Sequence, residues 1–210
     1  MFEIQYNGGN SITITTKKGT IVTDPKTSVV GLKDQKVVGL IELATEARFV
    51  VGGETKISIE GPGEYGVADF DISGIAAQRH LDTEADPKIS TIYRIEIGET
   101  RIAVLGNIYE KLNEDQLEAI GVVDILVLPV GGNGYTLDPT AAVVLTRQMT
   151  RRVVIPIHYE DRDVKYEVPQ LPLEEFTKGL GAPIEETTKY KLKSAGALPE
   201  GLTVVHLTRS

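Results

Sequence analysis

Apolar residues follow two different rhythms along this chain. Phe2–Tyr6 and Ser11–Thr16 alternate in strand fashion, Lys17-Lys18-Gly19-Thr20 is a hairpin turn, and Ile21–Thr23 returns. Lys56–Glu60, Val67–Ala77 and Ile89–Ile97 read as further strands, with turns at Gly61-Pro62-Gly63 and Gly98-Glu99. From Arg101 onward the alternation disappears. Ile102–Leu105, Val122–Val130 and Arg152–Ile157 are near-continuous apolar runs, the pattern of strands buried on both faces.

Helical signals fill the gaps between those runs. Asn113 is placed as an N-cap with Gln116 completing a capping box, Leu112 and Leu117 are neighbours, and Gly121 closes the helix. A second helix starts at Asp138 with Pro139 in its first turn, and Ala141, Val144, Leu145 and Gln148 follow at helical spacing. Leu173–Leu180 predicts a short helix and Leu202–Leu207 a final strand, in which His206 reads as a packed or edge-strand histidine. Antiparallel strands followed by a helical half are what an α+β, four-layer αββα sandwich needs, with two sheets face to face and helices outside.

The polar residues of interest stand just past the carboxyl ends of the buried strands, where layered folds place ligands. They are Asn107, the run Gly131-Gly132-Asn133-Gly134, Tyr135, and His158 with Tyr159. The glycine run lacks the spacing of a phosphate-binding loop and reads as a turn needing positive φ. Asp24-Pro25 reads as a turn that ends a strand. Glu42 and Glu46 are four apart, which predicts one helix face. The plain reading is a solvated face over Leu40, Leu43 and Ala47, the sharper one a carboxylate pair for a hard cation. Asp161 and Asp163 near His158 have a spacing common on solvated loops.

Composition narrows the field. At 210 residues, the chain is expected to form a single domain over residues 1–210. With no cysteine there is no disulfide framework and no thiolate metal site. A net charge of -8 without a clustered basic face excludes an electrostatic grip on nucleic acid. No apolar run reaches membrane-spanning length and no secretory signal opens the chain, so no membrane association and a cytoplasmic location are expected.

Several pieces together resemble the metallo-β-lactamase fold, in the branch that includes L-ascorbate-6-phosphate lactonase-like hydrolases. They are Ile21-Val22-Thr23-Asp24-Pro25, Gly61-Pro62-Gly63-Glu64-Tyr65, Val104-Leu105-Gly106-Asn107, and Val123-Asp124-Ile125-Leu126 leading to Pro129-Val130-Gly131-Gly132. Thr136-Leu137-Asp138-Pro139 with Ala141-Ala142, and Val154-Ile155-Pro156-Ile157-His158-Tyr159, complete the set. The resemblance implies a dinuclear centre of five histidines and two aspartates that activates a water. This chain has 3 histidines, and none precedes His80. The family's His-x-His-x-Asp-His, expected near Ile41–Glu46, is therefore missing. His80 and His158 match two of the family's metal histidines and are the candidate ligands, while Asn107 stands at the bridging aspartate and brings no charge. The alternatives are an exposed loop residue for His80 and a strand-end residue hydrogen-bonded to a neighbouring loop for His158.

The reading is a hydrolase-like protein without a dinuclear centre, inactive as such a hydrolase, whose pocket of His80, Asn107, Gly131, Gly132, Tyr135, His158 and Tyr159 serves binding or interaction with a small molecule or a protein. No cofactor is expected. The alternative is a divergent hydrolase of a small phosphorylated or lactone-type substrate, with one weakly bound zinc or manganese at His80 and His158.

Overall fold

A computed structural model of the chain describes residues 1–81 and 88–210, with the side chain of residue 151 excepted. The alternating N-terminal segments form β1 (Phe2–Gly8), β2 (Ser11–Thr15) and β3 (Thr20–Thr23), followed by the short β4 (Ile41–Leu43) and β5 (Ile57–Ile59). In β1 the buried Phe2, Ile4 and Tyr6 alternate with half-buried Glu3 and Gln5, as period-two patterning requires of a sheet with one covered face. Next come β6 (Gly63–Val67), β7 (Phe70–Ala77), β8 (Ser90–Ile97) and β9 (Thr100–Val104). Helix α1 (Glu114–Ile120) leads to β10 (Val123–Pro129), and α2 (Pro139–Met149) to β11 (Thr150–Ile157). Helix α3 (Leu173–Leu180), β12 (Ile184–Thr187), β13 (Tyr190–Leu192) and β14 (Thr203–Leu207) complete the order.

Two mixed sheets result. One runs β13-β1-β2-β3-β4-β5 and the other β12-β14-β11-β10-β9-β8-β7-β6. The three apolar runs are the neighbouring parallel strands β9, β10 and β11 at the centre of the larger sheet. Helices α1 and α2 pack on that sheet, and α3 on α2. One apolar cluster joins the inner faces of both sheets. Tyr93 of β8 crosses between them, its hydroxyl lying 2.9 Å from the Ala44 carbonyl and 3.2 Å from that of Ile59.

The caps are where the sequence puts them. Asn113 and Gln116 form a reciprocal capping box, and Asp138 accepts from the Ala141 amide. The phase of α2 differs from the expected row, however. Ala142, Leu145, Thr146 and Met149 face the core, whereas Val144 is exposed.

Three expectations are corrected. Lys56–Glu60 does not continue an antiparallel succession, because β5 runs parallel to β4 in the smaller sheet. The hairpin of β6 and β7 breaks Val67–Ala77 at Ala68, which has φ +59. Glu42 and Glu46 share no helix face and are not solvated. Glu42 lies in β4 and Glu46 beyond it, both buried. Ile41 and Leu43 take the core side of that strand, so Glu42 points the opposite way, under the following loop. Its carboxylate accepts from the amides of Val51 (2.7 Å) and Gly52 (3.2 Å) and from the Ser58 hydroxyl (2.8 Å). A buried carboxylate with that many donors is satisfied without a counterion.

Candidate functional site

Strand directions bring distant residues to one edge. Asp24 follows β3, Thr45 and Glu46 follow β4, Asn107 follows β9, Gly131 follows β10 and His158 follows β11. Thr45 ties the two sheets together there. Its amide and hydroxyl each donate at 2.7 Å to the Asp24 carboxylate, and its carbonyl accepts from the Thr91 amide at 2.8 Å. Gly106 keeps this contact open, since a Cβ there would stand 2.6 Å from the Thr45 hydroxyl.

His158 occupies a tight position. Its φ of +50 is unusual for a residue with a Cβ, as is the +42 of Asp24, and such strain gathers at functional sites. The His158 amide donates to the Tyr6 hydroxyl at 3.3 Å, and Nδ1 lies 2.7 Å from Asn10 Oδ1. With Nδ1–H donating to that oxygen, Nε2 carries the lone pair, and this atom is buried without a partner in the protein. The Tyr166 ring centroid is 4.5 Å away and that of Tyr135, stacked, 5.7 Å. Burial first, and then the Arg48 guanidinium, push the imidazole down to about 3, so His158 is neutral at physiological pH.

Asp24, Asn10, Phe49, Tyr135 and His158 are among the residues around a cavity of about 20 Å³. Space of that order holds one water and no organic ligand. Burial pushes the Asp24 carboxyl up to about 7, against the two hydrogen bonds from Thr45 that favour its charged form. Expected only to end a turn, Asp24 is a buried acid inside the pocket. Its signal was the aspartate directly after an apolar strand, which turn chemistry explains equally well.

The other predicted residues divide into two groups. Gly131 and Gly132 close the His158 side. A Cβ on Gly131 would meet Gln170 Oε1 at 2.3 Å and the His158 carbonyl at 2.4 Å, and Gly132 needs its φ of +67. Tyr159 faces away toward His206, whose Nε2 lies 3.1 Å from its hydroxyl. His80 and Asn107 form the second group, joined by the His80 amide donating to the Asn107 carbonyl at 2.9 Å. His80 is half-buried with its ring 6.4 Å from that of Tyr109, and both side-chain amide atoms of the buried Asn107 lack a partner in the protein. Asp161 and Asp163 both bind Arg209, at 2.8 Å each, and do not orient His158.

Arg48 escaped the sequence reading. It lies in the short 3-10 turn after Glu46. A terminal nitrogen donates to one Glu46 oxygen at 3.2 Å, and the Nε stands 2.9 Å from the other in an ion pair without hydrogen-bond geometry, on a buried carboxylate that Arg79 also approaches at 3.7 Å. The guanidinium stands 4.7 Å from the Phe49 ring centroid and 5.6 Å from that of Tyr135. Among the described residues, no three His, Asp or Glu side chains converge as a metal-holding group. No described helix is long and apolar enough to cross a membrane.

Two facing mixed sheets, with strand-end loops of both meeting at one polar edge, define a metallo-β-lactamase-type sandwich. The profile of the Beta-lactamase superfamily domain matches residues 3–158, and the chain belongs to that family. A Thermotoga maritima protein of the metallo-β-lactamase superfamily, proposed to be a Zn-dependent hydrolase, superposes with a TM-score of 0.76 at 23% identity, covering 99% of this chain and 100% of its own. The metallo hydrolase Igni18 of Ignicoccus hospitalis gives 0.66 at 16% identity, over 99% and 95% of the two chains. A Parabacteroides distasonis protein proposed to be a metal-dependent hydrolase gives 0.67 at 15%, over 100% and 94%. At these identities the likeness is one of fold. No curated protein matches the chain.

Proposed function

We propose that this chain is a single metallo-β-lactamase-like domain whose dinuclear centre has degenerated, and that it acts as a binding or interaction module. One observation carries the reading: the segment after β4, where the family's metal histidines are expected, presents Thr45, Glu46 and Arg48, and all three are engaged with protein partners. A dication needs free imidazole or carboxylate lone pairs. Asp24 spends both oxygens on Thr45, Glu46 holds Arg48, and Asn107 is neutral. Two buried imidazole nitrogens, His158 Nε2 and His80 Nδ1, lack a protein partner, and they stand in the two separate groups, the first beside an arginine cation that repels a metal. These residues do not fit the family's metal pair, and no hydrolytic step is derived through it.

The lactonase-like branch is supported by the Pro-Ile-His-Tyr and Val-Gly-Gly pieces at the ends of β11 and β10. A cavity with room for a single water favours a protein partner over a small molecule inside the pocket. Elemental analysis of untagged protein, purified without chelator, tests the reading. Zinc, manganese and iron well below one equivalent per chain are expected; one or more firmly bound equivalents would overturn it.

A further inference from the structure

We propose that Arg48 is the resident cation of this site: its guanidinium, paired with the buried Glu46 and laid over the Phe49 and Tyr135 rings, takes the electrostatic place of a metal. The inference rests on the degenerate-site reading and adds to it the group that replaced the metal.

The arrangement suits a guanidinium in shape as well as in charge. Glu46 is buried to 2% exposure and presents both oxygens to one planar guanidinium, one accepting from a terminal nitrogen at 3.2 Å and the other 2.9 Å from Nε in an ion pair. The two rings offer flat faces, with centroids 4.7 and 5.6 Å from the guanidinium carbon, as cation–π contact requires. Those rings also wall the His158 cavity, so the cation stands behind the pocket's lining rather than in it. Its field reaches Asp24 and His158, favouring the charged carboxylate of the first and the neutral imidazole of the second. Glu42 holds the segment in place, by accepting from Val51 and Gly52 just beyond the arginine. A lysine meets neither the planar pairing nor the stacked rings.

The test is chemical rescue, read as melting temperature. Arg48→Ala takes from the buried Glu46 its nearest cation, and the variant's melting point falls by roughly 5–15 °C. Ethylguanidinium at millimolar concentration, about ten times its dissociation constant, then raises the variant by roughly 3–6 °C in a saturable way. It does nothing comparable to wild type or to Arg48→Ala/Glu46→Gln. Equal melting of wild type and Arg48→Ala, or rescue that ignores Glu46, overturns the proposal. Should the alanine variant not fold, hydrogen exchange at the Arg48 Nε–H of wild type decides instead. Slowed exchange is expected from the burial of that atom against Glu46, and exchange as fast as at solvent-exposed arginines overturns the assignment. Failed rescue with metal-free wild type removes only Arg48's role, whereas metal bound to wild type removes the underlying reading.

Discussion

Replacing Asp24 by asparagine separates two opposed electrostatic loads in this pocket. In the folded chain the Asp24 carboxyl is raised from 3.8 to about 7, so the native state holds a proton that the unfolded state has released. Its contribution is fully present below about pH 4 and is lost as pH rises through 7, at about 1.4 kcal/mol per unit. The full loss is about 4 kcal/mol. His158 works the other way. Lowered from 6.5 to about 3, it is neutral when folded and protonated when unfolded in acid, so its contribution is present above 6.5 and is lost as pH falls. Between about pH 4 and 6.5 the two slopes oppose, and wild type shows little net change from this pair. Asp24→Asn removes one slope. Asparagine can still accept from the Thr45 amide and carries no charge to desolvate. The variant melts within a few degrees of wild type at pH 4–5. It then gains on wild type as pH rises, reaching an advantage of roughly 8–16 °C above pH 7, at 2–4 °C per kcal/mol for a domain of this size. Differential scanning calorimetry in matched buffers from pH 4 to 8 measures the difference directly. A constant offset, or a variant that loses ground as pH rises, refutes the reasoning and shows that Thr45 and Arg48 keep Asp24 ionised well below neutrality.

Three further outcomes follow from the packing. His158→Asn retains a residue tolerant of positive φ but empties the ring space beside Tyr135 and Tyr166; it is expected to lose about 2–4 kcal/mol at pH 7 and much less in acid, as denaturant midpoints at pH 7 and 4.5 will show. Gly131→Ala forces a Cβ within 2.4 Å of the His158 carbonyl, and is expected to lower stability by about 2–4 kcal/mol in urea unfolding, whereas Gly201→Ala, with open space around it, stays within about 0.5 kcal/mol. Glu42→Gln weakens three hydrogen bonds, costing about 1–3 kcal/mol, and amide exchange accelerates at Val51 and Gly52 more than in β1.

Much of the fold was legible because long elements carry redundant signals. The runs of β9, β10 and β11, the capping box at Asn113 and the Asp138-Pro139 start are each marked by several residues at once. The carboxyl-edge placement of Asn107, Gly131 and His158 followed from strand order alone. Short elements defeated the pattern. Strand β4 has three residues, too few to show a period, so the spacing of Glu42 and Glu46 mimicked a helix face. Strand β12 exposes Ile184, Glu185 and Glu186 at the sheet's edge, and so shows no apolar alternation. The closeness of Arg48 to Tyr135 arises across the two sheets, and Asp24 meets Thr45, 21 residues on, at the end of the neighbouring strand. Nothing local in the chain encodes such meetings.

Metal linkage tests the central claim most directly. A metal that binds only the native state at one hundred times its dissociation constant stabilises by about 2.7 kcal/mol, which is roughly 5–11 °C in melting temperature for a domain of this size. The degenerate-site account predicts no chelator-reversible rise of that size for wild type in excess zinc, manganese or iron. A rise that chelator reverses, and that disappears in both His80→Ala and His158→Ala, would contradict it.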